Sequence, residues 1–297
     1  MTRRRLLQVI GAVTTVASGE PVGRFRFSVC NETFQGMRFE DQCRLARETG
    51  YSGIEVMPGT LAKDPGGIPL ARRSDLRRTI SDHGLAFVGL HNLLTVPAGL
   101  HATSNDVAVR QRTWDFVRKL ADLCADLGPN GILVFGSGKQ RSAATGASIT
   151  DALARFRDGL ASVAPHAQKC GVTILIEPLA PHLCNLVNRL DEAAALVRDI
   201  HSPAVQTMFD VHNSAAETLS PMELIAKYIP IIRHVHLNEM DGRLPGSGTY
   251  DFNLLFRALE RNRYRGWCSV EVFDFKPTGE EVARNALNYL TPVARRN

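Results

Sequence analysis

None of the six cysteines, Cys30, Cys43, Cys124, Cys170, Cys184 and Cys268, stands in a CxxC pair, and most fall inside apolar segments. That excludes a disulfide framework or a cysteine-built zinc site as the organising element and leaves the thiols as small buried hydrophobes. Excess charge is lacking too. The formal net charge is +5, but Arg3, Arg4 and Arg5 supply three of those charges and no acidic residue precedes Glu20, so residues 20–297 carry only +2. The electrostatic footprint of a nucleic-acid partner is therefore missing. No apolar run is long enough to cross a bilayer, which argues against a membrane-embedded protein. No hairpin turn joins the strand-like runs. The first of them is followed by NETFQGM rather than a glycine-rich phosphate turn, which counts against a dinucleotide-binding open sheet.

What is present is a regular alternation. Apolar, β-branched runs bounded by Gly, Pro, Asn or Asp predict strands at 25–30, 53–57, 85–91, 131–135, 172–177, 205–210, 231–237 and 267–272. Segments with helical spacing lie between them, at 39–50, 75–84, 114–128, 152–171 and 190–200. Gly50, Gly84, Gly128 and Gly171 occupy the position just past a helix end where glycine is favoured. Eight strand–helix units argue for a parallel sheet closed into a (β/α)8 TIM barrel, an α/β fold, spanning residues 25–297.

Residues 1–24 stand outside this pattern. A basic start, an apolar stretch from Leu6 to Ala17 and small residues at Ala17, Ser18 and Gly19 have the form of a twin-arginine export signal. The alternative is an N-terminal extension packed beneath the barrel. The two readings place the protein in the periplasm or the cytoplasm respectively, and the sequence leaves both open.

The chemistry concentrates in the second half. Four successive runs end in a group that can hold a metal: ILIE at Glu177, TMFD at Asp210, HVH at His236 and SVE at Glu271. Carboxyl ends of barrel strands are where this fold keeps its active sites. Side chains alternate across a strand, so Glu177 shares a face with Leu175, Glu271 with Ser269, and His236 with His234. His234 should then be a buried, hydrogen-bonded support one layer below. Three carboxylates gathered at one rim repel one another unless protons or a cation neutralise them. Three oxygen donors and one imidazole suit one divalent ion, Mn²⁺ or Mg²⁺ before Co²⁺ or Zn²⁺.

IEPL at 176–179, FDVHN at 209–213, HVHLNE at 234–239, PGSGTYDF at 245–252 and YRGWCSVEVF at 264–273 resemble the xylose isomerase-like barrel superfamily of sugar isomerases and epimerases, nearest to its ketose 3-epimerase branch. The resemblance runs from about residue 25 to 292 and is most specific in the second half. It implies that Glu177, Asp210, His236 and Glu271 ligate one metal and that Glu177 and Glu271 are the acid/base pair. The implied substrate is a small-molecule sugar, a ketose or related keto-sugar. A cation stabilises the cis-enediolate formed when its C–H is deprotonated, and two glutamates can take the proton from one face and return one to the other. Family members usually carry a His three residues after the strand-six Asp; this chain has Asn213 there and His212 one place earlier, and either could serve as a substrate donor. The family's loop arginine corresponds to Arg243, allowing one inserted residue, and His91 could line the pocket. The long segment at 91–106 could form a lid. A lyase or dehydratase of a keto-glycoside or inosose uses the same machinery and is the first alternative. An endonuclease IV-like repair enzyme fits less well, since strand four ends in VFGSG without a His; a non-catalytic sugar-binding barrel leaves both glutamates unexplained. A homo-oligomer is compatible with all of these readings.

Overall fold

The computed structural model describes residues 25–296, so the N-terminal segment at 1–24 lies outside the described residues. Eight parallel strands form the barrel: β1 Arg26–Cys30, β2 Gly53–Val56, β3 Ala86–Leu90, β4 Ile132–Phe135, β5 Thr173–Ile176, β6 Val205–Asp210, β7 Ile232–Leu237 and β8 Trp267–Val270. They are bonded in chain order, and the sheet closes where β1 pairs with β8, Arg26 opposite Trp267 and Val29 opposite Val270. Every expected strand is present, most of them shorter by a residue or two.

The helices are α1 Phe39–Glu48, α2 Leu70–Asp82, α3 Val107–Leu127, the short α4 Gly138–Arg141, α5 Ile149–Lys169, α6 Leu190–Ile200, α7 Pro221–Tyr228, α8 Phe252–Arg261 and α9 Gly279–Arg295. Helices α2 and α3 begin well before the periodic segments that predict them. Their first turns carry exposed Leu70 and Val107, so no apolar stripe marks the start. The start of α3 is instead marked by a cap, because Asp106 accepts from the amides of Ala108 and Val109. In α7, Ser220 and Glu223 form a reciprocal capping box with Pro221 in the first turn. Gly50, Gly84 and Gly171 take positive φ as expected, at 106°, 67° and 68°. Gly128 does not: its φ of 179° is extended backbone. Close approach explains the glycine there, since a Cβ would lie 3.0 Å from the Phe87 side chain. The left-handed cap that periodicity cannot foresee is His201, which ends α6 at φ 52°.

Alternation along the strands separates two apolar clusters. The large one lies between sheet and helices. The small one, Val88, Ile132, Val134, Leu175 and Met208 with Trp267 packed on it, fills the lower barrel interior. Gly53 makes room for that plug, because a Cβ there would sit 2.8 Å from the Trp267 ring. Above the plug the inward positions turn polar, with Ser28, Glu55, His234, His236 and Ser269 all buried. The 91–106 segment is fastened rather than free: Leu94 N donates to Ser137 Oγ at 3.1 Å, Ala102 N to the Gln140 carbonyl at 2.7 Å, and His101 N to Thr113 Oγ1 at 2.8 Å.

Arg141 ties the top of β4 to the top of β5. Fully buried at the end of α4, it donates to the carbonyls of Phe135 and Glu177, each at 2.7 Å, and reaches those of Leu186 and Val187 at 3.4 Å. Its charge is dispersed into backbone dipoles, with the Phe156 ring 5.5 Å below the guanidinium carbon. Arg141→Met preserves the stem but removes both short charge-assisted bonds, leaving the Phe135 carbonyl only the Glu177 amide at 3.5 Å. Charge-assisted hydrogen bonds of this kind are worth roughly 1.5–3 kcal/mol each, so the variant should lose about 3 kcal/mol or more of stability. The denaturant midpoint measures this, and an unchanged midpoint would show that the guanidinium is dispensable.

Candidate active site

The four strand-end groups meet. Glu177 and Glu271 each follow the last residue of their strands, Asp210 ends β6, and His236 is next to last in β7. Asp210 stands opposite His236 in the register, and His236 opposite Ser269, two residues before Glu271. All four are buried, and one ligand atom from each lies within 4.8 Å of every other. His236 Nδ1 is 3.0 Å from Glu271 Oε2, 3.4 Å from Asp210 Oδ2 and 3.7 Å from Glu177 Oε1. None of these approaches is aligned as a hydrogen bond, and Nδ1 has no hydrogen-bond partner among the described residues.

The other face of that imidazole explains its orientation. His236 Nε2 is 3.1 Å from Oε1 of Glu55, a fully buried residue of β2. Glu55 Oε2 is bonded to His234 Nε2 at 2.8 Å and accepts from Ser269 Oγ at 2.5 Å, and Ser269 is in turn 2.5 Å from Ser28 Oγ. Burial alone would raise the Glu55 carboxyl, but His234 and His236 outweigh it and hold it well below the usual range. An ionised Glu55 keeps the proton on Nε2 of His236, which turns Nδ1 toward the three carboxylates. Burial would lower His236, yet Glu271 and Glu55 raise it well above the ordinary value. The Glu271 carboxyl is raised by burial and by Glu177 and Asp210, against the opposing pull of His236. Three carboxylates thus share one imidazole. A proton on Nδ1 offsets a single charge, whereas a divalent ion offsets two and gives the lone pair an acceptor. The donor set therefore fits one divalent ion, of the hard or borderline kind favoured by oxygen and imidazole.

The carboxylates are held from outside. Asn213 Nδ2 donates to Glu177 Oε1 at 3.1 Å, and the Asn213 amide to Asp210 Oδ1 at 2.7 Å. Asn238 Nδ2 donates to Asp210 Oδ2 at 3.2 Å while its Oδ1 accepts the His212 amide at 2.8 Å. Gly136, after β4, leaves space for Glu177: a Cβ there would fall 2.2 Å from its Oε2. Buried Glu239 organises the loop after β7 by accepting the amides of Gly246 and Tyr250 at 2.8 and 3.1 Å.

The remaining expected residues are distributed unequally. His91 is fully buried, its Nε2 2.6 Å from Glu32 Oε1 and its Nδ1 3.5 Å from Glu55 Oε1, and it belongs to a second cluster with Cys30, Glu32 and Glu271. Burial would lower it, but Glu32 first and then Glu55 and Glu271 raise it to about 9. His234 is the buried, bonded support expected of it. His212 turns its Nδ1 to the Met240 carbonyl at 2.8 Å and packs its ring edge-on to His182 and Phe273. Arg243 is half exposed in the loop after β7 and pairs with Asp241 at 2.7 Å, so the structure does not bring its guanidinium to the four.

Sequence reasoning missed Glu55, Glu32, Cys30 and Asn238. For Glu55 a signal existed: a lone carboxylate inside the apolar run GIEVM has to find partners indoors. Glu55→Gln retains size but sets an amide N–H against imidazole or hydroxyl donors. It should weaken divalent-ion binding roughly 10- to 100-fold, the usual cost of losing a carboxylate behind a ligating His. Isothermal titration with Mn²⁺ measures it, and an unaltered affinity would remove Glu55 from this role.

Comparison with known proteins supplies the family. The model of the xylose isomerase-like TIM barrel family matches residues 43–293. The chain is 23% identical to a fructoselysine 3-epimerase of Escherichia coli O157:H7 over 251 residues, covering 80% of this chain and 86% of that protein. It is 28% identical to an L-ribulose 3-epimerase of Mesorhizobium japonicum over 241 residues, covering 80% and 76%. Among solved structures, a D-psicose 3-epimerase in the presence of D-fructose superposes with a TM-score of 0.78 at 20% identity, covering 91% of this chain and 100% of that one, a likeness of fold. The match over most of the chain, together with the closed barrel that carries it, places this protein in the xylose isomerase-like TIM barrel family.

Proposed function

We propose that the protein is a divalent-metal-dependent sugar epimerase or isomerase acting on a ketose or related keto-sugar, with Glu177 and Glu271 as the proton-moving pair. The observation that carries the reading is the arc of four donors within 4.8 Å of one another, with the partnerless Nδ1 of His236 facing three carboxylates. The relatives' names, a fructoselysine 3-epimerase and an L-ribulose 3-epimerase, support the substrate class. A divalent ion held by Glu177, Asp210, His236 and Glu271 would supply positive charge beside the substrate carbonyl and acidify the neighbouring C–H.

The chain's own residues do the rest. In strand order the two glutamates terminate the arc, with Asp210 and His236 between them. A planar enediolate lying across the arc therefore has a carboxylate on either side. One removes the proton from the carbon and the other returns a proton to the opposite face, which inverts that carbon; return to the adjacent carbon interconverts aldose and ketose. Asn213 steadies Glu177 through Oε1 and leaves Oε2, on the Gly136 side, without a side chain in its way. Burial of both glutamates keeps bulk water off the planar intermediate, so the returned proton comes from a carboxylate that exchanges with solvent between turnovers.

In D₂O with Mn²⁺, turnover of a ketose panel should place deuterium at C3 or C1, read by NMR. Glu177→Gln and Glu271→Gln should each lower the rate by about 10²- to 10⁴-fold while the circular dichroism stays native. Dialysis against a chelator should abolish turnover, and added divalent ion should restore it. Absence of deuterium from every ketose would overturn the epimerase reading, and an unsaturated product from a 3-keto-glycoside would replace it with a lyase.

A further inference from the structure

A second group of metal-ligating side chains stands apart from the barrel mouth. Asp122, in the last turns of α3, and His166 and Cys170, at the end of α5, place one donor atom each within 4.8 Å of the others. Helices α3 and α5 run into the starts of β4 and β5, so this cluster lies at the end of the barrel opposite Glu177 and its partners. We propose that Asp122, His166 and Cys170 form a peripheral site for a thiophilic divalent ion of the Zn²⁺ class, with a water completing the coordination.

The geometry is specific. His166 and Cys170 are four residues apart, and the Cys170 amide bonds the His166 carbonyl at 3.0 Å, so the helical turn that puts both side chains on one face persists to the cap. From the facing helix, Asp122 Oδ1 meets His166 Nε2 at 2.8 Å and Cys170 Sγ at 3.5 Å. Donors of a tetrahedral zinc centre with bonds of about 2.0–2.3 Å stand roughly 3.3–3.8 Å apart, so small rotations of half-exposed side chains suffice. Cys170 is also the one cysteine of the six that is not buried, which leaves its sulfur accessible to an ion from solvent. Charge balances: the ion displaces the thiol proton, which leaves to water, and the thiolate and Asp122 carboxylate together neutralise the dication while His166 binds as the neutral ring. Asp126, one turn further along α3, is committed to Arg73 at 2.8 Å and does not compete. An ion held here would brace α3 against α5 across 44 or more residues of sequence.

The test compares the full-length protein with Cys170→Ser and His166→Ala. Serine retains a hydrogen bond to Asp122 but is a poor zinc ligand, so a purely hydrogen-bonded clamp would survive the first change. After equilibrium dialysis against Zn²⁺, the unaltered protein should retain one more equivalent per chain than either variant. Loaded with Co²⁺, it should show a thiolate-to-cobalt charge-transfer band that Cys170→Ser lacks. Zinc should also raise the melting temperature of the unaltered protein more than that of the variants. Because each readout is a difference from a variant altered only at this cluster, it holds whether or not the barrel mouth takes an ion. Equal zinc content and equal cobalt spectra in the unaltered protein and Cys170→Ser would overturn the proposal.

Discussion

One buried carboxylate governs the barrel mouth. Glu55 takes a hydrogen bond from His236 on one oxygen and from His234 and Ser269 on the other, and it has no exposure to water. An ionised carboxylate in that position is tolerable because both oxygens accept hydrogen bonds and two imidazoles face it. Its satisfaction fixes the tautomer of His236, and the tautomer decides what the ring offers upward. Bound to Glu55 through Nε2, it turns Nδ1 to three anions, where a proton offsets one of their charges and a divalent ion would offset two.

Inward positions change character with height: an apolar plug around Leu175, Met208 and Trp267, then a polar belt of serines, Glu55 and His234, then the four strand-end donors. Each layer follows from alternation along the strand, since Trp267, Ser269 and Glu271 share a face, as do His234 and His236. The plug closes the belt off from the lower end of the barrel, and Arg141 and Asn213 hold the rim above. Glu177 is fixed twice, through its carbonyl by Arg141 and through its carboxylate by Asn213, which is how a residue just outside its strand can still be placed with precision.

The strands and the four donors were legible because they rest on local information. A β-branched run with a period of two announces a strand, and a charged group at its end is visible without knowing its neighbours. Helices α7, α8 and α9 went unannounced, although the capping residues Ser220, Asp251 and Thr278 were there to be read. Gly128 shows the limit of a positional rule, since the same glycine serves a left-handed cap or a close approach and only the Phe87 ring tells them apart. Glu55 was less legible. It lies 179 residues from His234 and 181 from His236, and only closure of the sheet brings β2 across from β7. The His91–Glu32 pair is hidden for the same reason, with 59 residues between its members. Arg243 is the converse case: a motif offset proposes a role, and in this loop conformation its guanidinium pairs with Asp241.

Asn213 carries the most individual feature of this site. Where the resemblance leads one to expect an imidazole, the chain places an amide that donates to Glu177 from its side chain and to Asp210 from its backbone, and accepts the Ala180 amide at 3.1 Å. An amide does not titrate, so it adds no second cation to the rim and leaves the whole negative charge of Glu177 available to a bound ion and a substrate proton. The neighbouring imidazole cannot fill the missing place in this conformation, because His212 Nδ1 is engaged by the Met240 carbonyl and its ring is wedged between His182 and Phe273. The β6 side of the mouth therefore offers an amide-braced carboxylate rather than a histidine, while a second buried imidazole lies across the barrel at His91, paired with Glu32 beside Glu271. The titratable groups of the mouth outside the four donors thus gather on the β1–β3 side, at Glu32 and His91, rather than beside β6.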